Sequence, residues 1–565
     1  METDVLIVGG GAAGAMAAIK SIEEGSRALV VTKGPFPSGN TSIALAGYGA
    51  AFGHADPRDN PGVHFEDALK AGQGLCNQNL VRTWVTKIVE ITSEMDDWGI
   101  DLVKEGDKFA QRPWEGHTYP RMVHQNLTTG RAVVKCLAAK SKEIGVPVLA
   151  NTIIGGLLKE GEEVVGAWGL RYETGELVFI KANAVVLATG GMGNLFPMTD
   201  NVGTVTGEGY AIAFKAGAEL IQMEFCHFLP TISYPIEMRG KSVFMGKLRQ
   251  LLNEGGARLY NCLGERFVKR YYPETGEKRR GGEELTRAIG LEICEGRGSP
   301  HGGVFLDLSD VPLEMRQTQF SKLWESAIQT GIDLSFQPIE IAPNPHDLVG
   351  GVKIDVTGRT TVPGLFAAGE AAGGAHGASR FGGSALADAL AFGAISGTNA
   401  AHDAAQKKKG TPWDENQIQG IESRIGSLLA KRDGIEPSAL GRRIQEIANQ
   451  YLNVGRNEEG LKKALKELEQ MERESLPRLT VSGKDLKEIA SNLRKVIEVD
   501  GQLDLAKIIA TAALLRKESR GGYFGGHYRT DYPNRDDKNW LKNIVIKNQN
   551  GLLSSHTELP ITEKG

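Results

Sequence analysis

Asp4-Val5-Leu6-Ile7-Val8 is followed at once by Gly9-Gly10-Gly11-Ala12-Ala13-Gly14, and how this stretch is read decides the fold. The unbroken apolar run has the character of a parallel strand buried on both faces. The glycines follow the pattern Gly-x-Gly-x-x-Gly. A helical stretch runs from Ala15 to Glu24, Gly25 supplies a stop, and Arg27 to Val31 forms a second strand. A glycine-rich turn set between strand and helix in this way is the fingerprint of a dinucleotide-binding unit. Gly9 permits the tight turn. Gly11 lets the backbone approach a pyrophosphate at the helix N-terminus, where unpaired N–H groups and the helix dipole favour an anion. Gly14 lets the helix pack on the strand. The second strand ends in Thr32-Lys33 rather than in the acid that holds a ribose, which weakens a generic nicotinamide-dinucleotide reading.

Working outward, 565 residues exceed one ordinary core, so two to four structural units are expected. Glycine occupies 72 positions, about 13% against a usual figure near 7%. There is no collagen-like period or long Ser/Gly tract, so the excess belongs to loops and tight packings. Lys and Arg number 65 against 69 Asp and Glu, a formal charge of −4 that argues against a nucleic-acid partner. No apolar run approaches the roughly 18 residues of a membrane span. The acidic Met1-Glu2-Thr3-Asp4 leads straight into a strand without a secretory pattern. Cys76, Cys136, Cys226, Cys262 and Cys294 are far apart and form no Cys-x-x-Cys pair. This excludes a disulfide scaffold and a self-contained four-cysteine zinc or iron–sulfur site. No metal site is expected, and the compartment expected is reducing and cytoplasmic.

Further signals lie along the chain. Asn183-Ala184-Val185-Val186-Leu187-Ala188-Thr189-Gly190-Gly191 reads as a buried strand ending in a Thr-Gly-Gly turn. Val362-Pro363-Gly364-Leu365-Phe366-Ala367-Ala368-Gly369-Glu370 and His376-Gly377-Ala378-Ser379-Arg380-Phe381-Gly382-Gly383-Ser384-Ala385-Leu386 follow much later. With Gly207-Glu208-Gly209-Tyr210, Met223-Glu224-Phe225 and Asp531-Tyr532-Pro533-Asn534-Arg535-Asp536-Asp537, these segments resemble the flavoprotein family of fumarate reductase, succinate dehydrogenase and L-aspartate oxidase. The resemblance covers most of the chain, with several motifs in the family's order. Thr32-Lys33 is compatible with it, because succinate dehydrogenases have a similar Ser-Lys.

The resemblance implies an α/β fold: a Rossmann-type FAD-binding domain, an inserted α+β capping domain and a C-terminal helical bundle. It implies FAD as cofactor, with contacts from Gly9, Gly11, Gly14, Thr32, Lys33, Thr41, Ala188, Thr189, Gly190, Glu370, Ser384 and Leu386. Glu370, at a strand end, is suited to accept from a ribose hydroxyl. Gly383-Ser384-Ala385-Leu386 would open a helix whose N–H groups face the flavin pyrimidine, where negative charge builds up on reduction. In succinate dehydrogenase a histidine in a Ser-His-Thr triplet bonds covalently to the flavin. The corresponding residue here is Asn40, just before Thr41, so non-covalent FAD is expected, and with it a reductase or an oxidase rather than a respiratory succinate dehydrogenase.

At the substrate site the pattern breaks. Relatives hold a dicarboxylate with two His, two Arg and a Thr-Glu pair. His346, in His346-Asp347-Leu348-Val349-Gly350-Gly351, matches one histidine, and Arg380, whose guanidinium is a bidentate fork, matches one arginine. Leu229 stands for the other histidine, with His227 two residues earlier. Leu248-Arg249 stands for the Thr-Glu pair. The proton-donating arginine falls on Gly282, although a short register shift would bring in Arg280. A missing charged partner costs about 2–5 kcal/mol of recognition. The expected substrate is therefore a small anion other than fumarate, such as an unsaturated monocarboxylate, a thioester or an oxyanion. Catalytic candidates are Arg380, His346, Arg280 and His227.

Residues 1–228 and 344–400 are expected to form the FAD-binding domain, 229–343 the cap, 401–515 a helical domain and 516–565 a tail. Ile418, Ile421, Ile425, Leu428 and Leu429, like Leu461, Ala464, Leu465 and Leu468, recur at helical spacing. Tyr523-Phe524-Gly525 looks like an insertion in the family's closing segment. The leading function is a flavoprotein subunit exchanging hydride or electrons with a small anionic substrate and working with an iron–sulfur partner, without a membrane span of its own but brought to a membrane where that partner requires it. The alternatives are a stand-alone oxidase like L-aspartate oxidase, a fumarate reductase, succinate dehydrogenase or adenylylsulfate-reductase-like subunit, and an electron-transfer subunit with a silent pocket.

Overall fold

The computed structural model describes residues 1–238, 245–276, 282–407, 413–522 and 526–563. β1 (Glu2–Val8), α1 (Ala12–Glu23) and β2 (Ala28–Val31) form the glycine-turn unit read from sequence. The helix starts three residues earlier than its apolar period suggests, because Gly11 is extended and serves as N-cap. Gly25, at φ +82°, turns the chain into β2.

β1 lies parallel to β2 on one side and to Glu176–Leu187 on the other, with Val8 opposite Val31 and Leu187. Val148–Leu149 extends the parallel sheet beyond β2, and Leu365–Ala367 pairs in parallel with the end of Glu176–Leu187. The strands Thr152–Glu160 and Glu163–Arg171 add an antiparallel flap. Ala188, Thr189 and Glu370 thereby meet at the carboxyl ends of parallel strands, where open α/β sheets bind ligands.

The long helix Ser384–Gln406 crosses α1 at backbone distance. Gly393 and Gly397, four apart and hence on one helix face, lie directly against the backbone of Ala13 and Ala17. Side chains there would force the helices apart, so part of the glycine excess serves to bring two helix N-termini to one place.

Cys226–Tyr234 and Ile339–Leu348 pair antiparallel and run from the nucleotide domain into the cap. The expected boundaries at 228/229 and 343/344 therefore fall inside continuous strands. The cap has its own apolar core, drawn from residues between Leu229 and Ile341 and including Leu248, Leu259, Ile289 and Leu306. The helices Glu415–Ala430, Pro437–Ile447, Glu458–Gln470 and Leu486–Leu515 follow. Ile425, Leu428, Leu461, Ala464 and Leu468 are buried, whereas Leu429 is exposed. The segment expected as a tail does more than trail. Its strand Asn543–Gln549 pairs with Leu220–Ile221, tying the chain end into a sheet with Gly351–Lys353. Tyr523-Phe524-Gly525 lies outside the described residues. No helix among the described residues is long and apolar enough to cross a membrane.

Candidate active site

A cavity of about 760 Å³ runs from the glycine turn to the face beneath the cap. Gly9, Gly11, Thr32, Lys33, Thr41, Ala188, Thr189, Gly190, Glu370 and Leu386 line it. Gly14 does not. It packs on β1, and a methyl group there would run into the Gly9 carbonyl. Ser384 is buried beside the cavity while Gly383, Ala385 and Leu386 face it.

The nucleotide end is built for close backbone approach. Gly11 leaves its side-chain direction open, the nearest atom being Thr41 Oγ1 at 3.6 Å. No side chain caps α1 from Gly11. Thr41 Oγ1 accepts the Ala12 N–H at 3.0 Å, so this hydroxyl stands at the helix N-terminus. Lys33 donates to Thr206 Oγ1 at 2.6 Å and pairs with the buried Glu208 at 2.7 Å, which fixes the ammonium at the end of β2. The Thr189 hydroxyl is buried, lines the cavity and has no hydrogen-bond partner among the described residues. Such an orphan calls for a ligand or water. Glu370 lies against the Cα of Gly191 and accepts the Leu348 N–H at 3.2 Å. Burial, followed by repulsion from Asp347, raises its pKa.

The second helix N-terminus faces the same cavity. Gly383 is left-handed (φ +92°) and caps Ser384–Gln406 without a side chain. Its carbonyl accepts the Gly49 N–H at 3.2 Å, and the Gly382 carbonyl is 3.0 Å from His117 Nε2. With both carbonyls tied back and no acid in the first helical turn, this end presents positive dipole to the cavity. Asn40 also lines the cavity; its Nδ2 donates to Asn201 Oδ1 at 2.9 Å and its Oδ1 accepts the Val202 N–H at 3.0 Å.

At the other end stand Leu229, Arg249, His346, Asp347 and Arg380, with Trp114, Glu115 and Asp200. Adjacent strand residues normally point to opposite faces, yet His346 and Asp347 both line the cavity. The pairing explains it: His227 is opposite Asp347 and Phe228 is opposite Pro345, so His346 is an extra, bulged residue. Arg380 Nε donates to Asp347 at 3.0 Å, and both residues are 6% exposed. The two terminal amino groups of Arg380 have no hydrogen-bond partner among the described residues. His346 Nδ1 is 2.7 Å from Asp200. Burial works against its charge, but the Asp200 carboxylate prevails and its pKa is raised.

His227 does not line the cavity. It is fully buried behind Asp347, with Nδ1 3.7 Å from that carboxylate and Nε2 3.1 Å from Ser379 Oγ. Burial drives its pKa down to about 3 against the pull of Asp347. It therefore stands behind the cavity wall, separated from the cavity by Asp347. Burial opposes ionisation of Asp347 too, but Arg380 and the histidines hold its pKa below the usual carboxylate range. Arg280 lies outside the described residues. Asp347, Asp200 and Glu115 were not among the sequence candidates. Asp347 is adjacent to His346, but only the bulge turns it inward. Among the described residues no cluster of His, Cys, Asp or Glu is arranged to hold a metal.

Two anion-favouring helix ends, an open glycine cradle and an orphaned threonine hydroxyl fit an extended diphosphate cofactor. The comparisons agree. Residues 4–386 match the FAD binding domain family, and residues 441–562 match the fumarate reductase flavoprotein C-terminal family. The chain is 36% identical over 549 residues to a subunit of fumarate reductase (CoM/CoB) from Methanothermobacter marburgensis, covering 96% of this chain and 97% of that protein. It is 30% identical over 566 residues to L-aspartate oxidase of Synechocystis sp., covering 97% of each. The structure of Mycobacterium smegmatis Sdh1 in complex with UQ1 superposes with a TM-score of 0.90 at 31% identity, covering 99% of this chain and 94% of that one. With its FAD-binding domain, cap and C-terminal helical domain in this order, the chain belongs to the FAD-dependent oxidoreductases of the fumarate reductase, succinate dehydrogenase and L-aspartate oxidase flavoprotein family.

Proposed function

We propose that the chain is the catalytic flavoprotein subunit of a reductase for a small anionic substrate other than the four-carbon diacid, exchanging electrons with an iron–sulfur partner. The carrying observation is the substrate end of the cavity. It keeps Arg380 and His346, but sets Leu229 where relatives have a second carboxylate-binding histidine and Arg249 where they have an acid. FAD, when bound, supplies two-electron chemistry. Gly9, Gly11, Thr41, Thr189 and Glu370 would hold its nucleotide and ribose portions, and the Gly383-capped helix its pyrimidine edge. Asn40 has no nucleophilic ring nitrogen and both ends of its amide are engaged, so FAD is held without a covalent bond.

Arg380 holds a substrate carboxylate through its terminal amino groups, and His346, whose pKa the Asp200 carboxylate raises against burial, adds a second donor. His227 supports Asp347, which in turn supports Arg380. Closure of the cap over this end would exclude water and strengthen these charge contacts. An iron–sulfur partner accords with five scattered cysteines in this chain and with a relative named as one subunit of its enzyme.

The full-length match to the fumarate reductase (CoM/CoB) subunit favours fumarate as a second reading. Both are tested by reducing the bound flavin anaerobically and mixing it with fumarate, unsaturated monocarboxylates, acyl thioesters, sulfur oxyanions and quinones. Rapid reoxidation by a compound other than fumarate is expected. Rapid reoxidation by fumarate alone would overturn the first reading and establish the second.

A further inference from the structure

The substrate end of the cavity is lined by two arginines and a histidine, and each faces a carboxylate that also lines it. Arg380 meets Asp347 at 3.0 Å, His346 meets Asp200 at 2.7 Å, and Arg249 meets Glu115 at 2.8 Å. The last pair joins the cap to the nucleotide domain. Further along, Lys33 is paired with Glu208 at 2.7 Å, and Glu370 is buried against a backbone N–H. The described lining thus presents several cationic donors with no excess of positive charge.

Against this described lining a dianion would give up its hydration without net compensation, because Asp347, Asp200 and Glu115 already engage Arg380, His346 and Arg249. A single carboxylate meets a different situation. Arg380 is held by Nε, so its two terminal amino groups remain as one planar fork in fixed orientation. We propose that Asp347 determines specificity: it orients Arg380 and cancels the charge that a second carboxylate would need, so that the site selects substrates with a single anionic group. This inference rests on the reading of Arg380 as the substrate anchor, and it narrows the substrate to a class.

The test uses the holoenzyme with oxidised flavin, whose visible absorbance reports ligands in the cavity. Crotonate is the monoanionic probe; fumarate and malonate are the dianionic probes. The native protein is expected to bind crotonate at least as tightly as either dianion. Asp347→Asn is expected to shift the ratio of affinities about tenfold or more toward the dianions. Glu115→Gln is expected to shift it the same way by less, and being more exposed it tests the charge count if Asp347→Asn does not fold. Native protein binding fumarate tenfold more tightly than crotonate would overturn the proposal, as would an unchanged ratio in flavin-retaining Asp347→Asn or, failing that, in Glu115→Gln. Failure of the underlying reading gives a different result: no anion perturbs the spectrum, or Arg380→Ala binds crotonate as the native protein does.

Discussion

Replacing Arg380 by alanine separates the substrate end of the cavity from the cofactor end. The guanidinium is 6% exposed and its Nε donates to Asp347 at 3.0 Å. Its loss removes the strongest charge that holds the buried Asp347 carboxylate ionised, leaving it beside His346 and 3.7 Å from His227 Nδ1, which burial keeps neutral near pH 7. Breaking a buried pair on one side costs about 3–5 kcal/mol, and uptake of a proton by Asp347 relieves part of this. Loss of a charged donor to the substrate costs about 2–5 kcal/mol. That corresponds to a fall in kcat/KM of about 30-fold to about 5,000-fold. The glycine cradle and both helix N-termini are untouched, so flavin content should hold. The measurements are flavin absorbance relative to protein, anaerobic reoxidation of the reduced enzyme by its substrate, and thermal unfolding. Adding Asp347→Asn to Arg380→Ala should restore much of the stability and none of the turnover. Unchanged turnover in Arg380→Ala would refute the assignment, as would a loss of turnover that merely tracks a loss of flavin.

Three further outcomes are expected. Acid precipitation of the holoenzyme should leave a colourless pellet and a yellow supernatant, because Asn40 offers no atom for a covalent bond; a yellow pellet would contradict this. Gly14→Ala places a methyl group against the Gly9 carbonyl, so purified protein should be destabilised and lack flavin, whereas a fully loaded variant of native stability would refute the need for this close packing. Asp388 is buried, its Oδ1 has no partner among the described residues, and its Oδ2 is 3.8 Å from His376 Nε2. Burial, then Asp347, pushes its pKa up to about 7. The folded chain therefore keeps a proton that the unfolded chain releases above its ordinary range, so this group's contribution to stability falls as pH rises from about 4 to about 7, by up to about 4 kcal/mol. Asp388→Asn should raise Tm more at pH 8 than at pH 5; an equal effect at both would refute the assignment.

The glycine turn, the Ala-Thr-Gly-Gly strand end and the Gly-Glu turn at Glu370 were legible because each is a local device. A tight turn, a close backbone approach and a strand terminus are encoded by contiguous residues, and their chain order carried the family with them. The Asn40 substitution was legible for the same reason. The expected limits of the inserted cap fall inside paired strands, since strand continuity depends on which segments pair. The closing segment read as a tail because nothing local shows that Asn543–Gln549 would find Leu220–Ile221 more than 300 residues away.

Sequence by itself thus determined the nucleotide-binding architecture and the cofactor, and it placed Leu229, Leu248 and Arg249 where the family resemblance leads one to expect carboxylate-binding groups. Only the tertiary structure decided which charges meet. A bulge at His346 turns Asp347 inward, distant loops bring Asp200 to His346 and Glu115 to Arg249, and His227 falls behind Asp347 instead of lining the cavity. Coulomb interactions depend on separation in space and on burial, not on separation along the chain, so the balance of charge in the site emerges only when the strands pair and the cap closes over them.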